Sequence, residues 1–178
     1  VVLLDSMETK ETLSDNNVIK KIGKIEIIGN IEFKDEFVAT VGTLDKQVLD
    51  MGRIKLLSGS FPNNKNEIVI ESSYLSIIDK DWKIGESKVL NLNNKKLEFV
   101  LSGIIKDYSA KWTVSPDLQK GVNDFPNIIL SNKSNLELES KNFLVQLDGN
   151  INNTTLTEEI AFDYLEEHNG FFNERLFY

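Results

Sequence analysis

Residues 67–105 read EIVIESSYLSIIDKDWKIGESKVLNLNNKKLEFVLSGII. This stretch opens on the apolar run at 68–70, which is typical of a short buried strand. Residues 72–78 then predict one or two helical turns, with Ser72 or Ser73 at the N-cap. Two further strands, at 88–92 and 97–105, flank an Asn-Asn pair and predict a β-hairpin. The stretch therefore mixes strands with a short helix.

More strands are predicted on both sides of this stretch. Residues 19–28 and 33–44 each alternate apolar side chains with charged or small ones, so each indicates a strand with one buried face. The two could pair, because Gly29 and Asn30 lie between them and indicate a turn. Residues 52–62 contain two glycines and a proline and predict a loop. Short strands are predicted at 128–130 and 143–147.

One amphipathic helix is predicted near the end of the chain. Thr155 and Glu158 form a capping-box pattern, apolar residues recur at three- and four-residue spacings, and Gly170 is the expected stop. Residues 1–4 are compatible with a short strand or with the end of a membrane helix, and the aromatic tail at 171–178 with a final strand or with a belt near a membrane surface. No regular strand–helix–strand series appears, so the predicted fold class is α+β.

Composition and missing motifs exclude several classes of function. The net charge is −8 and the basic residues are scattered, so no nucleic-acid partner is expected. The chain has no cysteine and a single histidine, His168, which excludes disulfides, thiol chemistry and the common zinc sites. No P-loop and no G-x-G-x-x-G motif is present, so no nucleotide cofactor is expected. We therefore predict no catalytic residue, no cofactor, no metal and no enzymatic activity.

One acidic pair is a candidate calcium site. Asp79 and Asp81 begin like a calcium-binding EF-hand loop, but Ile84 stands where that loop requires glycine, and no glutamate follows at its twelfth position. A solvated acidic turn is the favoured interpretation.

The segment at residues 106–125 has no clear period and predicts a long loop. It carries the aromatic residues Tyr108, Trp112 and Phe125. Two interpretations stay open: these side chains anchor the loop on the core, or they contact a partner or substrate, since long loops are often functional. Tyr108, Trp112 and Phe125 are therefore the candidate contact residues.

Three short motifs carry a resemblance to a known family. The first is Gly52-Arg53 followed by Gly59, Pro62 and Glu67-Ile68-Val69-Ile70; the second is Lys83-Ile84-Gly85-Glu86; the third is Phe99-Val100-Leu101-Ser102-Gly103-Ile104. In this order and spacing they resemble the extracytoplasmic core domain of MacB/FtsX-type ABC transporter permeases. The motifs are structural, so the resemblance transfers no catalytic residue to this chain.

The resemblance implies a mixed two-lobe domain. A porter-like α+β lobe would be built from residues 1–51 and 132–178, with a β-rich lobe of residues 52–131 inserted between them. The parent protein would lie in the cell membrane with this domain on the extracellular face. The implied function is to couple ATP hydrolysis by a separate cytoplasmic ATPase subunit to export or mechanotransmission outside the membrane. A permease dimer and a peptide, antibiotic or lipoprotein substrate are the other implied partners.

Eighteen lysines against two arginines, with many asparagines and isoleucines, are typical of AT-rich codons and indicate a low-GC, Gram-positive bacterium. A second class of function stays open, namely a free-standing extracellular binding module or an anchored lipoprotein. An enzyme would need a mechanism based on carboxylates alone, and no carboxylate spacing in the sequence supports one.

Overall fold

A computed structural model describes residues 2–5, 19–33, 36–111, 125–147 and 170–172. The strands are β1 (Val2–Asp5), β2 (Ile19–Phe33), β3 (Glu36–Leu44), β4 (Leu56–Gly59), β5 (Glu67–Glu71), β6 (Ser87–Leu92), β7 (Lys95–Ile105), β8 (Ile128–Leu130), β9 (Ser140–Leu147) and β10 (Gly170–Phe172). The helices are α1 (Lys46–Met51) and α2 (Ser72–Asp79), and a 3-10 turn covers Ser109–Lys111. The helix predicted from Thr155, together with His168, lies outside the described residues.

In the described part of the chain the strands form one ten-stranded mixed sheet, in the order β10-β1-β9-β2-β3-β8-β5-β7-β4, with β6 paired to both β2 and β7. The β3–β8 and β5–β7 pairs are parallel and the others are antiparallel. With the two helices packed on this sheet, the predicted α+β class is confirmed.

Six of the strands pair in a closed cycle. The order is β2, β3, β8, β5, β7 and β6, and β6 returns to β2 where Leu92 pairs with Ile31. We call these strands the six-strand ring. The larger core cluster takes two residues from each of the six strands and two from α2, and it also contains Trp82. The cluster is thus the shared interior of the ring.

A second core cluster lies on the other face of the same strands. Alternation along β5 shows this directly, because Ile68 and Ile70 belong to the first cluster whereas Val69 belongs to the second. Val48 of α1 packs on the second face. Since β5 is buried on both faces, its continuous apolar run is explained.

Both clusters combine residues from the two predicted lobes. Ile31 and Val41, from residues 1–51, share the ring interior with Ile68 and Leu130, from residues 52–131. The described ends of the chain lie side by side, since β1 pairs with both β9 and β10. The division into lobes at these boundaries stays a prediction.

The predicted hairpin is confirmed. β6 and β7 pair from Leu92 and Lys95 outward, and Asn93 and Asn94 have φ values of 48° and 64°. Positive φ at both central residues is the signature of a type I′ turn, whose twist matches that of the flanking strands. Asparagine tolerates this conformation better than other residues with a β-carbon.

Three local predictions are corrected by the structure. Gly29 and Asn30 do not form a turn: they lie within β2, where the register with β3 shifts between Ile27 and Gly29 in a β-bulge. The loop predicted at 52–62 contains strand β4, which is held by pairing to β7. The N-cap of α2 is Glu71, not Ser72 or Ser73. Each of these features depends on a segment distant in the sequence.

The start of α2 shows how a distant residue replaces a local cap. The side chain of Glu71 makes no capping hydrogen bond. Instead Oδ1 of Asp107 accepts hydrogen bonds from the Ser73 N–H and the Ser72 hydroxyl, both at 3.0 Å. These bonds satisfy a free N–H at the helix start. Burial acts to raise the pKa of Asp107, but the bonds from Ser73 and Ser72 outweigh it, so the pKa is lowered.

Candidate functional site

A buried carboxylate lies at the junction of β5 and α2. Glu71 follows Val69 by two residues, so both side chains leave the strand on the face of the second core cluster. Glu71 is only 1% exposed. Its Oε1 accepts hydrogen bonds from the N–H groups of Tyr108 and Ser109 at 2.6 and 2.7 Å. Its Oε2 accepts from the Ser109 hydroxyl at 2.8 Å.

Asn127 extends this network from the other side. Its Nδ2 donates to Glu71 Oε2 at 3.3 Å and to Ser109 Oγ at 2.7 Å. Its Oδ1 accepts from the Thr40 N–H, and its backbone bonds to both Thr40 and Glu71. The Tyr108 hydroxyl donates to the Pro126 carbonyl at 2.6 Å. We call Glu71, Tyr108, Ser109, Pro126 and Asn127 the stem anchor.

The stem anchor joins two stretches of chain that are separated in sequence. Tyr108 and Ser109 belong to the end of the described range 36–111, whereas Pro126 and Asn127 belong to the start of the range 125–147. Glu71 bonds to both stretches, and its two oxygens accept four hydrogen bonds from buried donors. The anchor therefore fixes the two stretches next to each other and to the end of β5.

Two of the three candidate contact residues lie in this anchor or beside it. Tyr108 and Phe125 are 5% and 2% exposed and pack edge to face, with ring centroids 6.5 Å apart. Burial raises the pKa of Tyr108 well above its ordinary value, and the negative charge of Glu71 raises it further. Both rings pack in the second core cluster. Trp112 lies outside the described residues, and the contact role of all three stays a prediction.

Sequence reasoning missed Glu71, Ser109 and Asn127. One signal was present, because an acidic residue closes the apolar run at 68–70 in phase with buried Val69. A charged residue in phase with a buried face usually requires a partner. Its partners could not be found from the sequence, since they come from positions 108, 109 and 127.

A second polar site lies at the tip of the β6–β7 hairpin. Oδ1 of Asn93 accepts from the Asn30 N–H at 2.9 Å, and its Nδ2 donates to the Ile28 carbonyl at 3.0 Å and to Glu139 Oε1 at 2.9 Å. The Asn93 N–H donates to the Asn30 carbonyl at 3.1 Å. We call these four bonds the Asn93 latch.

A shallow groove of about 260 Å³ runs beside the latch. It is lined by apolar side chains of β2, β6, β7 and the segment before β9, together with polar and charged groups. The lining apolar residues are Ile28, Leu92, Leu97, Leu136 and Leu138, and the polar ones are Asn93, Lys95, Glu137 and Glu139.

In the acidic turn at Asp79 and Asp81, the candidate calcium site, the Asp79 carboxylate bonds to groups of the protein itself. Oδ2 of Asp79 bonds to the ammonium of Lys88, and Oδ1 accepts from the Asp81 N–H at 2.9 Å. The bond from Lys88 lowers the pKa of Asp79, and the bond from Asp81 adds to this effect. Lys88 also lies 5.7 Å from the Trp82 ring centroid. Across the described residues, no group of three or more potential ligands is placed to hold a metal ion.

Comparison with known proteins identifies the fold. No protein-family model and no curated protein sequence matches the chain. The periplasmic region of MacB from Actinobacillus actinomycetemcomitans matches 94% of this chain and 83% of its own, with 12% identity and a TM-score of 0.53. A domain of a protein described as a permease from Porphyromonas gingivalis matches 94% of this chain and 82% of its own, with 12% identity and a TM-score of 0.55.

A third structure is the extracellular domain of the noncanonic ABC-type transporter YknZ from Gram-positive bacteria. It covers 95% of this chain and 94% of its own, with 12% identity and a TM-score of 0.48. The fold assignment rests on the first two structures. The chain has the fold of the periplasmic region of MacB, and the resemblance identified from the sequence motifs is confirmed at the level of fold.

Proposed function

We propose that this domain is the extracytoplasmic part of an ABC transporter permease of the MacB/FtsX type. The observation that carries the proposal is a fold shared with the MacB periplasmic region over 94% of the chain. The chain would then lie on the extracellular side of the membrane and belong to a larger membrane protein. Within the described residues, no helix is long and apolar enough to cross a membrane.

The described architecture is consistent with a domain that transmits mechanical displacement. Strands from 19–44 and from 67–130 share one hydrogen-bonded ring and one core cluster. The stem anchor adds a buried, charge-assisted network, and such networks hold their members in one geometry. A stiff unit of this kind transmits a displacement applied at one edge to the other. These features support a role in mechanotransmission.

The proposal includes partners. A separate cytoplasmic ABC ATPase subunit would supply the energy through the membrane part of the permease. A second permease copy and a peptide, antibiotic or lipoprotein substrate complete the proposed set, in a Gram-positive bacterium.

The location is tested by labelling the full-length parent protein in intact cells. These 178 residues contain no cysteine, so one thiol introduced here reports one position once any cysteine elsewhere in the parent protein has been replaced. Lys65 is exposed in the turn before β5, and Lys65→Cys is expected to react with a membrane-impermeant maleimide before the cells are lysed. Ile129→Cys is the matched control, because Ile129 is buried and should react only after denaturation. Labelling of Lys65→Cys only after lysis would contradict an extracellular position.

The partner is tested by purifying the full-length parent protein from membranes in detergent. An ABC ATPase subunit should co-purify, and ATP hydrolysis by the complex should depend on both proteins. A protein that lacks membrane helices, is anchored through a lipid-modified cysteine and purifies without an ATPase would instead be the free-standing binding module or anchored lipoprotein.

A further inference from the structure

The pairings that hold the six-strand ring together differ in extent. β2 and β3 pair along most of β3, from Ile25 with Leu44 to Phe33 with Glu36. By contrast, within the described residues β2 and β6 pair only where Ile31 meets Leu92. Three of the four hydrogen bonds of the Asn93 latch join the hairpin to β2 at this same place, and the fourth joins it to Glu139 in the segment before β9. The β2–β6 seam is therefore closed by one residue pair and one asparagine.

The bonds of the latch differ in burial from those of the stem anchor. The bond from the Asn30 N–H to Asn93 Oδ1 and the bond from Asn93 Nδ2 to Glu139 are exposed, and the bond to the Ile28 carbonyl is part-buried. By contrast, the bonds of Glu71 to Tyr108 and Ser109 are buried. Water can replace an exposed hydrogen bond at little net cost, but it cannot reach a buried one without wider opening. Local opening of a protein begins where such exposed bonds are the main restraint.

The two halves of β7 differ in how many strands they pair with, and this difference limits how far the hairpin could separate from β2. Its second half pairs with β5 from Val100 to Ile105 and with β4 from Gly103 to Ile105. Its first half pairs only with β6 among the described strands. The base of the β6–β7 hairpin is thus held by pairing to β4 and β5, whereas its tip is held by the hydrogen bonds of Asn93.

We infer that the six-strand ring opens locally at the β2–β6 seam. The tip of the β6–β7 hairpin moves away from β2 when the hydrogen bonds of the Asn93 latch break. In the open state the hairpin tip leaves β2, Leu92 leaves the ring interior, and the groove beside Asn93 joins that interior. The rest of the ring stays paired. This inference does not depend on the proposed function, because it concerns an equilibrium within the domain itself.

The test is amide hydrogen exchange measured residue by residue in the folded domain. In the unaltered protein, the N–H groups of Asn30 and Asn93 should exchange faster than those of β5 and β8. Their exchange should also depend little on low concentrations of urea, since local opening exposes little surface. Asn93→Gly removes the side-chain bonds and keeps the positive φ of the turn. We expect it to speed exchange at Asn30 roughly ten- to a hundredfold relative to β5 and β8.

Asn94→Gly is the matched control, because it alters the same turn at a residue outside the latch and should leave the Asn30 rate unchanged relative to β5 and β8. The inference is overturned if Asn30 and Asn93 exchange at the same rate, and with the same urea dependence, as the amides of β5 and β8. The seam would then open only when the whole domain unfolds.

A second variant covers the case in which Asn93→Gly does not fold. Ile31 and Leu92 are directly paired, and paired residues of antiparallel strands come within disulfide range. In Ile31→Cys/Leu92→Cys the oxidised protein should slow exchange at Asn93, and reduction should restore it. Equal exchange at Asn93 in the oxidised and reduced forms would also overturn the inference.

Discussion

The side chain of Asn93 occupies the space that a β-carbon on Gly29 would need. Such a carbon would lie 2.1 Å from Nδ2 and 2.2 Å from Oδ1 of Asn93. Gly29 also has a φ of 154°, which few residues with a β-carbon adopt. The glycine is therefore required by a contact with a distant hairpin as well as by its own backbone.

Gly29→Ala should destabilise the domain by about 2–4 kcal/mol, because it adds backbone strain and displaces the latch side chain. Gly85→Ala is the control, since Gly85 has a φ of 90° but no atom within 4 Å of the added carbon. That change should cost only the strain, about 1–2 kcal/mol. Thermal unfolding followed by circular dichroism measures both. Equal losses in the two variants would mean that the contact with Asn93 adds nothing.

Glu71→Gln should lower the free energy of unfolding by about 2 kcal/mol. Both oxygens of Glu71 accept hydrogen bonds, so an amide nitrogen in place of one of them would face a donor. Urea unfolding gives the value, with Glu137→Gln at an exposed position as the control. Unchanged stability of Glu71→Gln would show that the stem anchor does not require the carboxylate.

Arg53→Gly should raise the stability of the domain by about 0.5 kcal/mol. Arg53 is exposed just after α1 and has a φ of 48°, which costs free energy for any residue with a β-carbon. Arg53→Ala keeps that strain and should show no gain. The comparison of the two melting temperatures isolates the backbone effect, and an equal rise in both variants would point to the loss of the charge instead.

Acid should destabilise the domain partly through Glu67. Hydrogen bonds from the N–H groups of Asn63 and Asn64 and from the Asn64 amide lower the pKa of Glu67 below 4.5. A pKa that is lower in the folded state gives stability that is present above the unfolded value and lost as the pH falls through the folded value. Glu67→Gln should therefore flatten the stability profile below pH 4.5. A profile as steep as that of the unaltered protein would exclude this contribution.

Alkali should ionise Tyr108 only well above the ordinary pKa of a tyrosine. Burial and the nearby Glu71 charge raise the pKa of Tyr108 well above 10.0, so its phenol remains a donor to the Pro126 carbonyl. Stability linked to this group is complete below the unfolded pKa and declines as the pH rises toward the folded one. Ultraviolet titration of tyrosinate should show a late component that disappears in Tyr108→Phe. A late component that persists in this variant would assign it to another tyrosine.

Much of the fold could be predicted where the residues that determine a strand or a turn are neighbours in the sequence. The apolar run at 68–70, the hairpin at Asn93 and Asn94, and the alternation in 19–28 and 33–44 all predicted elements that the structure contains. Strand periodicity and turn conformation depend on a few adjacent side chains, so the sequence alone determines them. The α+β class followed from these elements, whereas the resemblance to the MacB-type domain was carried by the order and spacing of three short motifs.

Only the tertiary structure decided which distant groups meet. From the sequence alone, Gly29 predicts a turn. The glycine is in fact required because the side chain of Asn93, from a distant hairpin, occupies the space beside it. The cap of α2 comes from Asp107, and the partners of Glu71 come from two stretches beyond β7. A polar side chain can satisfy its hydrogen bonds with many partners of equal chemistry, and the partner it takes depends on which strands the packed core brings beside it.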